Sequence, residues 1–170
     1  MSVNKPNRNP HALASSLALA ALAAVLGGCG PGYLDVGEKV QATDENREVF
    51  KVLKAYHKAM EDRDVETLKK MVSRRYYENG GTTESDKDDY GIDKLNGAVL
   101  LKLRDNVRRV QFRIKLLDIS VKGDKAKAQY EYFGRVLLTE GGRDSYKMWN
   151  DFAQMDLVRE SGRWKILRGL

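Results

Sequence analysis

Alternating apolar and polar residues fill the second half of the chain and narrow the possible folds more than any other feature. Apolar side chains stand at every second position from Val110 to Leu116, with cationic and amide side chains between them. A period of two is typical of a strand with one buried face. Glycine-containing turns at 122–124, 141–142 and 161–162 separate this stretch from three further strand-like stretches. The pattern predicts an antiparallel meander of long strands.

The alternation changes phase within the first of these strands. After Leu116 the apolar residues move to the opposite parity, at Leu117, Ile119 and Val121. A change of parity inside one strand indicates a β-bulge, which bends the sheet. The sequence therefore predicts a curved sheet.

The first half of the chain has the helical period instead. Apolar residues at helical spacing from Val49 to Met60 follow Thr43-Asp44-Glu45, where a hydroxyl or a carboxylate is available to cap a helix. Asp64 is placed to cap a short second helix, and a third is expected over 92–105. Helices that precede a meander pack on one face of it, so the sequence predicts an α+β domain over 43–170.

At this point the chain resembles the NTF2-like superfamily, whose cone-shaped fold includes ketosteroid isomerase. The resemblance rests on the helix-turn-helix that runs from Tyr56 through 64–68, on the bulged strand, and on the closing segment 160–166, ESGRWKI. It implies three N-terminal helices packed on a curved antiparallel sheet, around a pocket open at one end. A helix-on-sheet fold of the cystatin type is the alternative.

Aromatic side chains are candidates for lining that pocket, where they would hold a small, flat, hydrophobic ligand. The other interpretation is that they fill the cone as ordinary core. The residues expected to point inward are Tyr56, Tyr76, Tyr130, Tyr132, Trp149 and Phe152.

Two enzymatic hypotheses arise beside the binding hypothesis. The resemblance places Tyr56 where isomerases of this superfamily carry a tyrosine that stabilises an enolate, but their carboxylate base is missing from 73–76. Scytalone dehydratase-like relatives use a histidine and an aspartate in the pocket, and His57 with Asp151 would supply such a pair. Asp151 follows Asn150 in mid-strand, so it faces the pocket or lies at a second bulge that turns it to solvent.

No metal, cofactor or nucleic-acid site is predicted. The acidic loop around Asp86 and Asp88 imitates part of an EF-hand, but Tyr90 and Gly97 stand at ligand positions. The net charge of +6 is too mild to indicate nucleic acid. The basic residues from Arg104 to Lys115 indicate either a solvent face or attraction to anionic lipid headgroups.

The N-terminal segment has the pattern of an export signal. Basic residues precede an apolar run from Ala12 to Leu26, which is too short to span a membrane, and small residues lead to Cys29, the only cysteine of the chain. Its end resembles the lipobox of bacterial lipoproteins. The resemblance implies a signal peptide over 1–28, cleavage between Gly28 and Cys29, lipid on Cys29, and a tether over 29–42.

Together these patterns predict a protein anchored in the cell envelope through lipid on Cys29. Gly30, where enteric-type sorting would use Asp to retain a protein at the inner membrane, favours the outer membrane. The expected role is non-enzymatic binding of a small hydrophobic ligand or of an envelope protein, with a homodimer as a further possibility. The alternative is a small dehydratase, isomerase or hydrolase that uses His57 and Asp151.

Overall fold

A computed structural model describes residues 40–79 and 88–170 as helices packed on a curved antiparallel sheet. The helices are α1 (Asp44–Asp62), α2 (Val65–Met71), α3 (Ile92–Lys94) and α4 (Leu100–Asp105), with a π-helical turn (Leu95–Val99) between the last two. The strands are β1 (Tyr77–Glu78), β2 (Tyr90–Gly91), β3 (Val107–Lys122), β4 (Lys125–Glu140), β5 (Arg143–Glu160) and β6 (Arg163–Arg168).

The first two helices begin where the sequence predicted, and in the first the Thr43 hydroxyl is the cap. The hydroxyl of Thr43 accepts a hydrogen bond of 3.1 Å from the backbone N–H of Asn46, and Asp64 caps α2 in the same way through Thr67. Between them, Arg63 takes a left-handed conformation, with φ of 55°, that ends α1. The predicted third helix is confirmed, although its middle turn is wider than an α-helix.

The main sheet has the strand order β3-β4-β5-β6, with every neighbouring pair antiparallel. Two-residue turns join consecutive strands, and positive φ angles at Ser161 and Gly162 suit the twist of such a hairpin. The register of β3 against β4 shifts between Leu116 and Asp118. This shift confirms the bulge predicted from the change of parity.

The core lies between α1 and one face of this sheet, which we call the inner face. Val49 and Leu53 of α1 pack there against buried side chains that include Leu116 and Met155. The opposite, outer face carries charged and polar side chains together with several exposed apolar ones. The predicted α+β architecture, with helices on a curved antiparallel sheet, is confirmed.

Two groups of sequence predictions lie outside the described residues. The signal, the cleavage position at Gly28, the proposed lipid site Cys29 and most of the tether fall within 1–39, and Asp86 falls within 80–87. Among the residues that are described, no helix has the length and apolar character needed to cross a membrane.

Candidate functional site

A cavity of about 280 Å³ lies between α1 and the inner face of β3, β4 and β5. Its wall is apolar and aromatic, and none of the described Asp, Glu, Lys, Arg or His side chains lines it. The lining residues are Tyr56, Met60, Val110, Phe112, Tyr130, Tyr132, Gly134, Val136, Trp149, Ala153, Gly169 and Leu170.

Four of the residues expected to line a pocket meet in this cavity. Tyr56 comes from the buried stripe of α1, Tyr130 and Tyr132 from β4, and Trp149 from β5. The two β4 tyrosines share a face because they are two positions apart. Trp149 shares that face because it lies directly opposite Gly134 in the antiparallel register. The regular alternation of β4 and β5 thus creates the cluster.

The polar ends of these side chains lie close enough in two pairs to influence the pKa of the phenols. Tyr56 lies beside Tyr130, and Trp149 lies beside Tyr132. Each phenol hydroxyl of Tyr130 and Tyr132 has one hydrogen to donate and can also accept a hydrogen bond.

Burial keeps the phenols protonated. It is the main cause that raises the pKa of Tyr56, of Tyr130 and of Tyr132, and neighbouring tyrosines raise the pKa of Tyr56 further. At neutral pH the cavity therefore offers neutral hydroxyl donors, whereas a general base would have to be deprotonated.

Phe112 and Gly134 shape the cavity around the phenols. The ring of Phe112 lies 5.9 Å from that of Tyr56, edge to face, and 5.6 Å from that of Tyr132. Gly134 lets the indole of Trp149 lie against the sheet, because a Cβ at that position would approach the indole to 3.0 Å. Neither residue was among those expected in the pocket, although Phe112 shares the parity of Val110 and Gly134 shares that of Tyr132.

Tyr76, expected in the pocket, does not line this cavity. It is buried beside Tyr90, with ring centroids 6.1 Å apart, and its hydroxyl donates to a carboxylate oxygen of Glu78 at 3.2 Å. The turn after α2 and the short β1 place Tyr76 in the core beside β2 instead of in the cavity wall.

Phe152 and Asp151 lie on opposite faces of β5. The register between β4 and β5 runs without a shift, so there is no second bulge in this stretch. Trp149 and Asp151 consequently share the inner face, and Phe152, expected to point inward, lies on the outer face with 70% of its surface exposed. Asp151 is exposed beyond the cavity wall, where its charge helps to raise the pKa of Tyr132.

His57 lies outside this cavity and contacts the outer edge of β3. Its Nε2 forms a hydrogen bond with the backbone carbonyl of Phe112, and its ring stacks on the ring of Phe112. Asp151 is two strands away across the sheet, a separation of about 10 Å at normal strand spacing. The structure does not bring the hypothetical acid–base pair together.

Within 40–79 and 88–170, no group of three or more His, Cys, Asp or Glu side chains is placed to hold a metal ion. Residues 73–76, where isomerases of the resembled superfamily carry their carboxylate base, hold a structural hydrogen bond instead. The buried hydroxyl of Ser73 donates to Glu160 at 2.8 Å.

No family model and no curated protein matches the sequence, but solved structures match the fold. A proposed scytalone dehydratase from Novosphingobium aromaticivorans has a TM-score of 0.61 at 14% identity, over 74% of this chain and 81% of that one. A proposed dehydratase of the NTF2-like family from Streptomyces avermitilis has a TM-score of 0.59 at 17% identity, over 74% and 94%.

A third similar structure is a proposed aromatic ring hydroxylase from Novosphingobium aromaticivorans. It has a TM-score of 0.62 at 15% identity, over 76% of this chain and 89% of that one. At these identities the similarity concerns the fold alone. The described domain has the NTF2-like cone fold, as the resemblance implied.

Proposed function

We propose that this chain is an exported lipoprotein whose cone cavity binds a small, neutral, flat molecule with an oxygen acceptor. The anchor would be acyl chains on Cys29, with the domain held at the outer membrane of the cell envelope. Two or more acyl chains are needed for stable anchoring, because one chain gives only marginal membrane binding.

The chemistry of the cavity wall carries the ligand proposal. Two phenol donors, Tyr130 and Tyr132, lie among apolar side chains, and no residue that the structure describes contributes a charged side chain to the wall. Each phenol hydroxyl can donate its hydrogen to an acceptor atom of a ligand. A carbonyl oxygen on an apolar ring system suits such a wall, whereas an ion would lose its hydration without a partner.

The volume supports a ligand of one or two rings. Cavities of roughly 150 Å³ hold a benzene molecule, and this one, at about 280 Å³, is close to twice that size. It also lies just below the range of roughly 300–1,000 Å³ typical of ligand pockets. A steroid-sized molecule would require the open end of the cone.

The test compares a bicyclic ketone with its hydrocarbon. We expect 1-tetralone to bind the 33–170 segment more tightly than tetralin, by about 5- to 10-fold per hydrogen bond formed. In Tyr130→Phe and Tyr132→Phe this preference should shrink, while Tyr146→Phe, which changes an exposed tyrosine of β5, should keep it. Calorimetry measures the affinities, and equal affinity for the two probes in the unaltered protein would contradict the acceptor proposal.

The natural ligand can be sought by native mass spectrometry of the same segment after incubation with an envelope extract of the host. A retained small-molecule mass that is lost in Tyr130→Phe would support binding in the cone. Failure to retain any such mass would favour an envelope protein as the partner.

The anchor has a separate test. Cys29→Ser should abolish incorporation of a labelled fatty acid and leave the precursor uncleaved at Gly28. Ser15→Ala, within the apolar run, is the matched control and should be lipidated normally. Lipid found on the Cys29→Ser protein would refute the proposal.

Asp151 supports a second, enzymatic candidate. Its carboxylate shares the inner face with Tyr132 at the rim of the cavity, and similar structures include proposed dehydratases. A base at the rim and phenol donors inside would be able to remove a proton next to a ligand carbonyl. Turnover that is lost in Asp151→Asn while ligand affinity is retained would favour this function. Unchanged turnover in Asp151→Asn would show that Asp151 takes no part in the reaction.

A further inference from the structure

One edge of the main sheet is open along most of β5. β6 pairs with β5 only over 156–160, and its register ends at the pair Asp156–Arg168. From 143 to 153, no other strand of the described chain lies on that edge, and the residues over 143–152 are all exposed. Such an edge is a template for pairing with another strand, and proteins usually cover or interrupt it.

The backbone groups that face this edge can be identified. The N–H of Phe152 donates at 2.8 Å to the Asp151 carboxylate and so points away from β4. Because outward and inward groups alternate along an antiparallel strand, the even-numbered positions of this stretch present their N–H and C=O to the open edge. A second antiparallel strand can therefore pair here only if the residues whose own N–H and C=O face this edge lie opposite the even-numbered residues of β5.

Two copies of this edge have complementary side chains when they pair antiparallel with the twofold axis at Trp149. When two copies run antiparallel with the axis at Trp149, Lys147 faces Asp151 twice and Tyr146 faces Phe152 twice. Even-numbered positions then lie opposite even-numbered positions, as the hydrogen bonds require. Moving the axis by one residue to either side separates Lys147 from Asp151, and moving it to Lys147 brings two ammonium groups together.

The exposed apolar side chains fit the same arrangement. Tyr146, Met148 and Phe152 are 55%, 65% and 70% exposed on the outer face, and Trp149 is 40% exposed on the inner face. Antiparallel strands are stabilised when aromatic residues face each other across the pair and when residues of unlike charge do so. We propose that a second copy of this chain pairs with β5 edge to edge about Trp149, so that the two sheets form one continuous sheet of eight strands.

A charge exchange tests the register. In the full chain, Lys147→Asp places like charges opposite each other twice and should weaken dimerisation at least tenfold by analytical ultracentrifugation. Adding Asp151→Lys restores the opposite charges and should restore the dimer. Lys127→Asp, at an exposed β4 position away from this edge, is the control and should leave it unchanged.

A cross-link tests the axis independently. In a Cys29→Ser background, Trp149→Cys should form an intermolecular disulfide readily, because opposite residues of a non-hydrogen-bonded pair have Cα atoms about 4.5 Å apart. Lys147→Cys, placed opposite Asp151, should cross-link poorly. The proposal would be overturned if the full chain stayed monomeric at all accessible concentrations. It would also be overturned if Phe133→Lys, on the outer face, broke the dimer while Lys147→Asp did not.

Discussion

Ser73 is the only fully buried polar side chain among the described residues, and it connects two distant parts of the chain. Its hydroxyl donates to Glu160 at 2.8 Å and accepts from the backbone N–H of Arg75 at 3.0 Å. Its own N–H donates to the carbonyl of Ile166 at 2.8 Å. The turn after α2 is thereby fixed to β5 and β6.

Ser73→Ala should lower the free energy of unfolding by about 1–2 kcal/mol, because the Arg75 N–H loses its acceptor and Glu160 keeps only the Arg75 guanidinium as a partner. The hydrogen bond from Ser73 is the main cause, with Arg75 second, that lowers the pKa of Glu160. Because this pKa is lower in the folded protein, the carboxylate adds stability above the pKa of an unfolded glutamate, about 4.3. This stability is lost as the pH falls below that value. The difference between the two proteins should thus be larger at pH 7 than at pH 3 in urea denaturation.

Ser120→Ala, an exposed serine of β3, is the matched control and should change stability by no more than about 0.5 kcal/mol. A Ser73→Ala protein whose loss of stability is the same at both pH values would show that Glu160 does not depend on this hydroxyl.

At the scale of elements, α1 covers part of the outer edge of β3. The carboxylate of Glu61 accepts from the N–H of Phe112 at 3.2 Å, and His57 bonds to the carbonyl of the same residue. One turn of α1 thus satisfies both outward backbone groups of Phe112. This arrangement gives His57 a structural role, which the sequence alone did not indicate.

We expect His57→Ala and Glu61→Ala each to destabilise the protein by about 1 kcal/mol, because each leaves one edge group without its partner. The double variant should lose less than the sum, since both contacts hold the same turn against the same residue. Thermal and urea denaturation measure this cycle. Lys58→Ala, which removes an exposed ion pair with Asp62, is the control. If the two losses of stability simply added in the double variant, His57 and Glu61 would not act together on Phe112.

His57→Ala also separates this role from catalysis. If His57 acts only in holding α1, the variant should retain its affinity for 1-tetralone and any turnover that the parent protein has. A selective loss of turnover with stability intact would restore the acid–base hypothesis.

Local patterns predicted the elements of this fold well, and the site less well. The parity of β3 predicted its bulge, and Thr43 and Asp64 marked the starts of two helices, because these signals depend on residues close in sequence. The position of Phe152 was predicted wrongly because an inward aromatic was assumed where the strand simply continues its alternation. The places of Tyr76 and His57 depend on which distant element packs beside them, which no local pattern specifies.

At the scale of the whole molecule, folding brings the phenols of Tyr56 and Tyr130 from different elements into one low-dielectric interior. Burial is the main cause that raises the pKa of each above the value of an unfolded tyrosine, about 10. The folded protein therefore holds these protons at pH values where the unfolded chain releases them. Stability from this source is complete below pH 10 and is lost as the pH rises further.

Between pH 8 and pH 11, each such tyrosine should reduce the free energy of unfolding by up to about 1.4 kcal/mol. Tyr56→Phe keeps the ring but removes the ionisable group, so its stability should fall less over this range than that of the parent protein. Urea denaturation at both pH values measures the difference, and Tyr146→Phe, at an exposed position, should behave as the parent does. An equal alkaline loss in Tyr56→Phe would mean that its phenol ionises in the folded cone, and that the cavity admits water and charge more freely than its lining suggests.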